Sequence, residues 1–181
     1  MEIVQYPAKI AATLRLILWP KVTDEDVVFI RAYLNKQEQI LFYAQTTLDQ
    51  RHALNVAYAI RDLLGRRPKL HQDKLYKAAL LHDIGKARAR LRLLDRIWQV
   101  LFFTCLPPLA NYLADRGSLW HKAYWRRILY ACKYHPRIGA ELARDIKVEE
   151  GVVYLIEHHC DPAAQGEPAE LTILREADEL N

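Results

Sequence analysis

The chain has 181 residues and a net charge of +4, with 51% hydrophobic and 27% charged residues. These proportions describe a soluble globular domain with a core of its own and exclude a disordered chain. The six glycines never fall into a G-x-G, and the single serine, Ser118, lies in no G-x-S-x-G, so P-loop, dinucleotide and serine-hydrolase elements are excluded.

Apolar residues recur at helical spacing along the chain and no segment alternates as a strand would, so the expected fold class is all-α, a compact helical bundle. The short apolar stretch 16–19 closes at Pro20 and lacks the basic flank, length and cleavage site of a signal peptide. Thr23 with Asp26 is an approximate capping box opening a helix to about Leu34, and Asn35 with Glu38 opens another through about Gln45. A third helix starts near Thr47 to Asp49, carries Ala53, Val56, Ala57, Ile60 and Leu64 on one face, and stops at Gly65. After a basic loop at 66–69, a fourth helix covers about 72–84, with Gly85 as its cap. A fifth covers about 88–105. The uncharged run 97–114 is broken by Pro107 and Pro108, which reads as two short helices rather than a membrane span. Ser118 caps a helix to about Lys133, and helices over about 136–146, 149–160 and 168–181 complete the chain. Residues 1–46 are expected as an N-terminal helical arm, 47–181 as the main domain, and about 88–133 as a helical insertion in it.

Three cysteines, Cys105, Cys132 and Cys160, with no C-x-x-C, fit reduced thiols in a cytoplasmic protein rather than a disulfide framework or zinc ribbon. The histidines are more informative. His52 lies on the third helix, His82 and Asp83 adjoin at the end of the fourth in Leu-Leu-His-Asp-Ile-Gly-Lys, and His135 begins His-Pro-Arg-Ile-Gly-Ala. His158 and His159 adjoin near a helix end, and Asp178 lies in the last helix; His71 and His121 fit no pattern and read as surface residues. A lone helical histidine is ordinarily a polar or half-buried residue, so only the joint order carries weight. Imidazole and carboxylate together suit Mn, Fe, Co, Ni or Zn, with Mg also admitted. Neighbours on a helix point about 100° apart, so His158 and His159 need not share a site.

This order resembles the HD superfamily of metal-dependent phosphohydrolases over about residues 48–181, and His82-Asp83-Ile84-Gly85-Lys86 is its most specific string. The resemblance implies an HD-type helical bundle and one or two divalent ions. One ion would be held by His52, His82, Asp83 and Asp178; a second would share Asp83 and take His135, His158 and His159, as in the HD-GYP subgroup. The Gly-Tyr-Pro element is absent, Cys160 follows His159 where that pattern has Glu, and Leu48 stands where three-metal relatives carry Glu. The implied reaction is hydrolysis of a phosphate ester or anhydride, with a nucleotide as the expected substrate. Asp83 bridges the metals in this reading. Lys86 either neutralises phosphoryl charge or merely complements the helix dipole. The alternatives are a catalytically silent regulatory or membrane-docking module, or a diiron oxygenase.

The charge is uneven. Residues 84–137 hold eleven Lys and Arg against two Asp, a balance of +9, while the remainder carries −5; the same segment holds Trp98, Trp120 and Trp125. Three uses fit it: a wall that attracts an anionic nucleotide, an amphipathic hairpin making peripheral contact with an anionic membrane, or a subdomain packed on the core. Nucleic acid is not an expected partner, because no recognised motif accompanies the basic residues.

Overall fold

A computed structural model describes residues 21–65, 71–89 and 93–181, with the side chains of Leu93, Arg96 and Ile97 outside the description. The apolar stretch 16–19 and the basic loop at 66–69 lie outside the described residues. Among those described, every regular element is helical.

The N-terminal helices form where their caps place them. In α1 (Asp24–Tyr33) the Thr23 amide donates to Asp26 Oδ2 at 2.7 Å and the Asp26 amide donates to Thr23 Oγ1 at 3.3 Å. In α2 (Lys36–Tyr43) Asn35 Oδ1 accepts from the amides of Gln37 and Glu38 at 2.9 and 3.0 Å. Each reciprocal box satisfies donors that a helix start otherwise leaves unpaired. Helix α3 (Thr47–Leu64) buries the face that its spacing predicts, with Leu54 added. Helix α4 (Gln72–Leu81) packs on it.

A 3₁₀ helix follows (Ile84–Ala89), then α5 (Leu93–Cys105), α6 (Pro107–Asp115), α7 (Tyr124–Asp145), α8 (Glu150–His158) and α9 (Ala169–Glu179). Helix α7 lies along the 3₁₀ helix and against α6 and α8, while α9 packs on α3. One core joins Ile30 of α1 and Phe42 of α2 to Ile60, Leu75, Leu80, Ile156 and Leu174. Each such side chain contributes about 1.5–3 kcal/mol by leaving water. A smaller cluster of Ala89, Ile128, Ala131 and Cys132, with Phe103 and Leu119 against it, seats the 88–133 segment.

Three local expectations change. The fourth helix stops at Leu81 rather than running to Ile84, so His82 and Asp83 form a turn. Gly85 is therefore no cap. A Cβ there would stand 2.1 Å from the His135 carbonyl oxygen, so the residue's role is close approach of the 3₁₀ helix to α7. The helices expected over 118–133 and 136–146 are one helix, α7, which begins at Tyr124 rather than after Ser118 and carries Pro136 inside it. Proline is tolerated there because the one carbonyl it leaves without an amide, that of Cys132, finds another donor, the His135 ring.

Candidate metal centre

Five places in the fold send side chains to one point. His52 comes from α3, His82 and Asp83 from the turn after α4, His135 from α7, His159 from the end of α8 and Asp178 from α9. His52 Nε2 lies 2.9 Å from Asp178 Oδ1 and 3.9 Å from Asp83 Oδ2. His82 Nε2 lies 3.5 Å from Asp178 Oδ1 and 3.6 Å from Asp83 Oδ2. The other Asp83 oxygen, Oδ1, lies 3.1 Å from His135 Nε2 and 3.9 Å from His159 Nε2, and those two ring nitrogens are 3.1 Å apart. Asp83 thus stands between two sets of donors and offers one oxygen to each.

Three of the histidines are aimed by the same device. The Nδ1 of His82, His135 and His159 donates to the carbonyl three residues earlier, on Ala79, Cys132 and Ile156, at 2.8, 2.8 and 2.7 Å. Ala79 and Ile156 lie in the last turns of α4 and α8, where carbonyls run out of intrahelical donors; Cys132 lies opposite Pro136. With the proton on Nδ1, a neutral ring presents a lone pair at Nε2.

The charges follow from burial and neighbours. Burial opposes ionisation of Asp83, but Lys86, His82 and His135 outweigh it and hold its carboxyl well below the usual range. Asp178 behaves alike: burial is overcome by the hydrogen bond with His52 and by the neighbouring His82. Burial and the Lys86 cation lower the pKa of His135; burial and the neighbouring His82 and His135 lower that of His159 further. Burial also opposes charging of His82, yet Asp83 and Asp178 raise it to about 9. The 3.5 Å approach of His82 to Asp178 is electrostatic rather than an aligned hydrogen bond, since His82 Nε2 has no hydrogen-bond partner. At neutral pH ionised Asp83 therefore faces neutral His135 and His159, while ionised Asp178 stands beside His52 and His82. Buried lone pairs 3.1 Å apart, beside an Asp83 Oδ1 that also lacks a hydrogen-bond partner, repel unless a cation lies between them. The donor set thus fits a divalent metal.

The expected residues divide as follows. His52, His82, Asp83, His135, His159 and Asp178 converge. His158 does not join them: its Nδ1 pairs with Asp161 Oδ2 at 2.6 Å and its ring lies 4.3 Å from that of Tyr154. In its place stands Cys160, which the sequence reading left without a role, with Sγ 3.7 Å from His135 Nε2. Cys160 is exposed as a residue, but burial of its sulfur, with Asp83 nearby, pushes the thiol up to about 12. Among the described residues two groups have donors close enough to hold an ion: His52, His82 and Asp83, and His135, His159 and Cys160. Lys86 Nζ lies 2.6 Å from Asp83 Oδ2 at the edge of the centre. His71 is exposed and His121 half-buried, where its Nδ1 accepts from the Ala123 amide at 3.0 Å.

No curated protein and no solved structure matches the chain. A family model described as HD domain matches residues 50–104, which include His52, His82, Asp83 and Lys86 and end before His135. Over that stretch the chain is similar to the HD domain, and the match supports the HD superfamily.

Proposed function

We propose that the protein is a metal-dependent phosphohydrolase of the HDIG type that cleaves a phosphate ester or anhydride of a nucleotide. The observation that carries this reading is the convergence of carbonyl-oriented imidazoles on both oxygens of one buried carboxylate. His52, His82, Asp83 and Asp178 would hold one ion, and His135 and His159 would hold a second with Asp83 between them. A bound divalent ion supplies Lewis acidity toward phosphoryl oxygen and makes water nucleophilic near neutral pH.

The chain's own residues do the rest. The Nδ1 hydrogen bonds fix the imidazole planes before any ion arrives, which removes reorganisation from the binding step. Asp83 fixes the spacing of the two positions. The Asp178 side chain is 31% exposed, against 1% for Asp83, so solvent and substrate meet the centre on the Asp178 side. Lys86 is 19% exposed at its side chain, and its ammonium neutralises oxygens of a phosphoryl group drawn to that edge.

The test is phosphate release over a panel of nucleotides with Mn, Co, Ni and Mg, with Asp83→Ala as control. Release that Asp83→Ala abolishes supports the reading. A metal-loaded protein that releases no phosphate from any member overturns it, and oxygen uptake by the iron form without phosphate release favours an oxygenase.

A further inference from the structure

We propose that Cys160 is a metal ligand, its thiolate completing with His135, His159 and Asp83 Oδ1 a four-donor position of two nitrogens, one oxygen and one sulfur. This rests on the metal-dependent reading above. Donors about 2.0–2.3 Å from a tetrahedral ion stand about 3.3–3.6 Å from one another. The structure has 3.1 Å between the two imidazole nitrogens, 3.7 Å from His135 Nε2 to Cys160 Sγ, and 3.1 and 3.9 Å from the Nε2 atoms of His135 and His159 to Asp83 Oδ1. Asp83 Oδ1 is the independent witness, a buried carboxylate oxygen with no hydrogen-bond partner, aimed at the same point. Binding forms the sulfur–metal bond as the S–H bond breaks, and the proton leaves to solvent.

Two consequences follow. A sulfur donor biases this position toward zinc, iron(II) or cobalt(II) over magnesium. Four protein donors also fill a tetrahedral shell, so water or substrate would reach an ion here only as a fifth ligand.

The experiment is titration of metal-free protein with cobalt(II) in the near ultraviolet, with alkylation of the cysteines read by mass spectrometry. Expected are a thiolate-to-cobalt charge-transfer band, its loss in Cys160→Ser, its retention in Cys105→Ser, and at least tenfold slower alkylation of Cys160, but not Cys105, with metal bound. No cobalt binding, binding without the band, a band that survives Cys160→Ser, or unprotected Cys160 each overturns the proposal. Phosphate release is read separately. A cobalt protein with the band but no turnover refutes the phosphohydrolase and leaves the ligand standing; turnover without the band does the reverse.

The α5–α6 pair carries an independent feature. We infer that it docks on an anionic phospholipid bilayer. Helix α5 presents Leu94 and Trp98 at 68% and 69% exposure, with Leu101 next in the same stripe, and α6 exposes Leu109 and Tyr112. This stripe is separate from the Phe103 and Leu119 contacts that seat the segment. A cation adjoins its Tyr112, whose ring lies 3.9 Å from the Arg116 guanidinium, and at the start of α7 those of Arg126 and Arg127 lie 5.2 and 5.1 Å from Trp125 and Tyr124. Exposed tryptophan with flanking arginine suits the headgroup boundary. The α5–α6 helices themselves hold Arg96 against Asp95 and Asp115; the cations of the flanking segments, which bring residues 84–137 to +9, complement acidic lipid and oppose pairing of this face with a second copy of itself. Among the described residues no helix is long and apolar enough to cross a membrane, so the contact is peripheral.

Sedimentation with phosphatidylcholine vesicles, with and without phosphatidylserine, tests this. Expected are at least tenfold tighter binding to the acidic vesicles, weakening in high salt, a blue shift of tryptophan emission, and loss in the Trp98→Gln, Leu101→Gln double variant with helicity unchanged. Absence of binding, equal binding to neutral vesicles, salt-insensitive binding by the wild-type chain, or a dimer that shields Trp98 overturns it.

Discussion

Gly85→Ala is the most informative single substitution in the scaffold. The added Cβ would meet the His135 carbonyl oxygen at 2.1 Å and the Gly139 amide nitrogen at 2.9 Å, both backbone atoms that cannot swing aside. Ordinary contact begins near 3.4 Å, so the 3₁₀ helix and α7 must separate by about 1.3 Å at this point. Overpacking of this kind costs about 1–3 kcal/mol. For a chain of this size that lowers Tm by about 2–12 °C. The same displacement carries His135 away from Asp83 Oδ1, now 3.1 Å distant, whereas a metal site tolerates about 0.5 Å. His52, His82 and Asp178 are not on the displaced helix. The variant should therefore melt earlier and retain one equivalent of metal where the proposed centre of the wild type would hold two, read by calorimetry and by elemental analysis after gel filtration. Unchanged Tm together with two retained equivalents would refute the claim that Gly85 exists for this close approach.

His159→Ala should lose one metal equivalent, whereas His158→Ala should bind as the wild type does and change stability by no more than about 0.5 kcal/mol; equal losses would contradict the outward placement of His158. Asp26→Asn should cost about 1–3 kcal/mol, because Asp26 is buried and accepts from Arg51, from the Thr23 amide and from Tyr58 Oη at 2.6 Å. Burial is outweighed there and the folded-state pKa is lowered, so this contribution is present above the ordinary value of 3.8 and fades as pH falls through the folded pKa. Urea melts at pH 7 and pH 3 check this, and a wild-type advantage undiminished in acid would count against it. Free metal at a hundredfold excess over its Kd should add about 2.7 kcal/mol and raise Tm by about 5–11 °C over the chelated protein; coincident melts would mean that the folded state holds no ion.

Much of this was readable where causes are local. Thr23 with Asp26 and Asn35 with Glu38 mark true helix starts because a cap is settled within four residues. The His-Asp-Ile-Gly-Lys string leads to the centre because its histidine and aspartate fall where a helix stops. Pro136 misled because its usual effect on a helix is cancelled within the same turn, by the His135 ring that donates to the Cys132 carbonyl. Gly85 misled because a cap and a close approach demand the same residue. The choice between His158 and His159 was in fact legible: Val152, Leu155, Ile156 and His159 are buried at helical spacing, and His158 is out of phase with them. Cys160 left no such signal, since its sulfur reaches the centre from beyond the end of α8.

The spread of the donors along the chain governs when the centre can exist. His52 and Asp178 are 126 residues apart, and the position they share is incomplete until nearly all of the described chain has left the ribosome. His135 and His159 are only 24 apart, with Asp83 already made. During synthesis the second position can therefore gather first. A metal held there would clamp α7 and α8 to the His82–Asp83 turn before α9 arrives, so order of synthesis would double as order of loading.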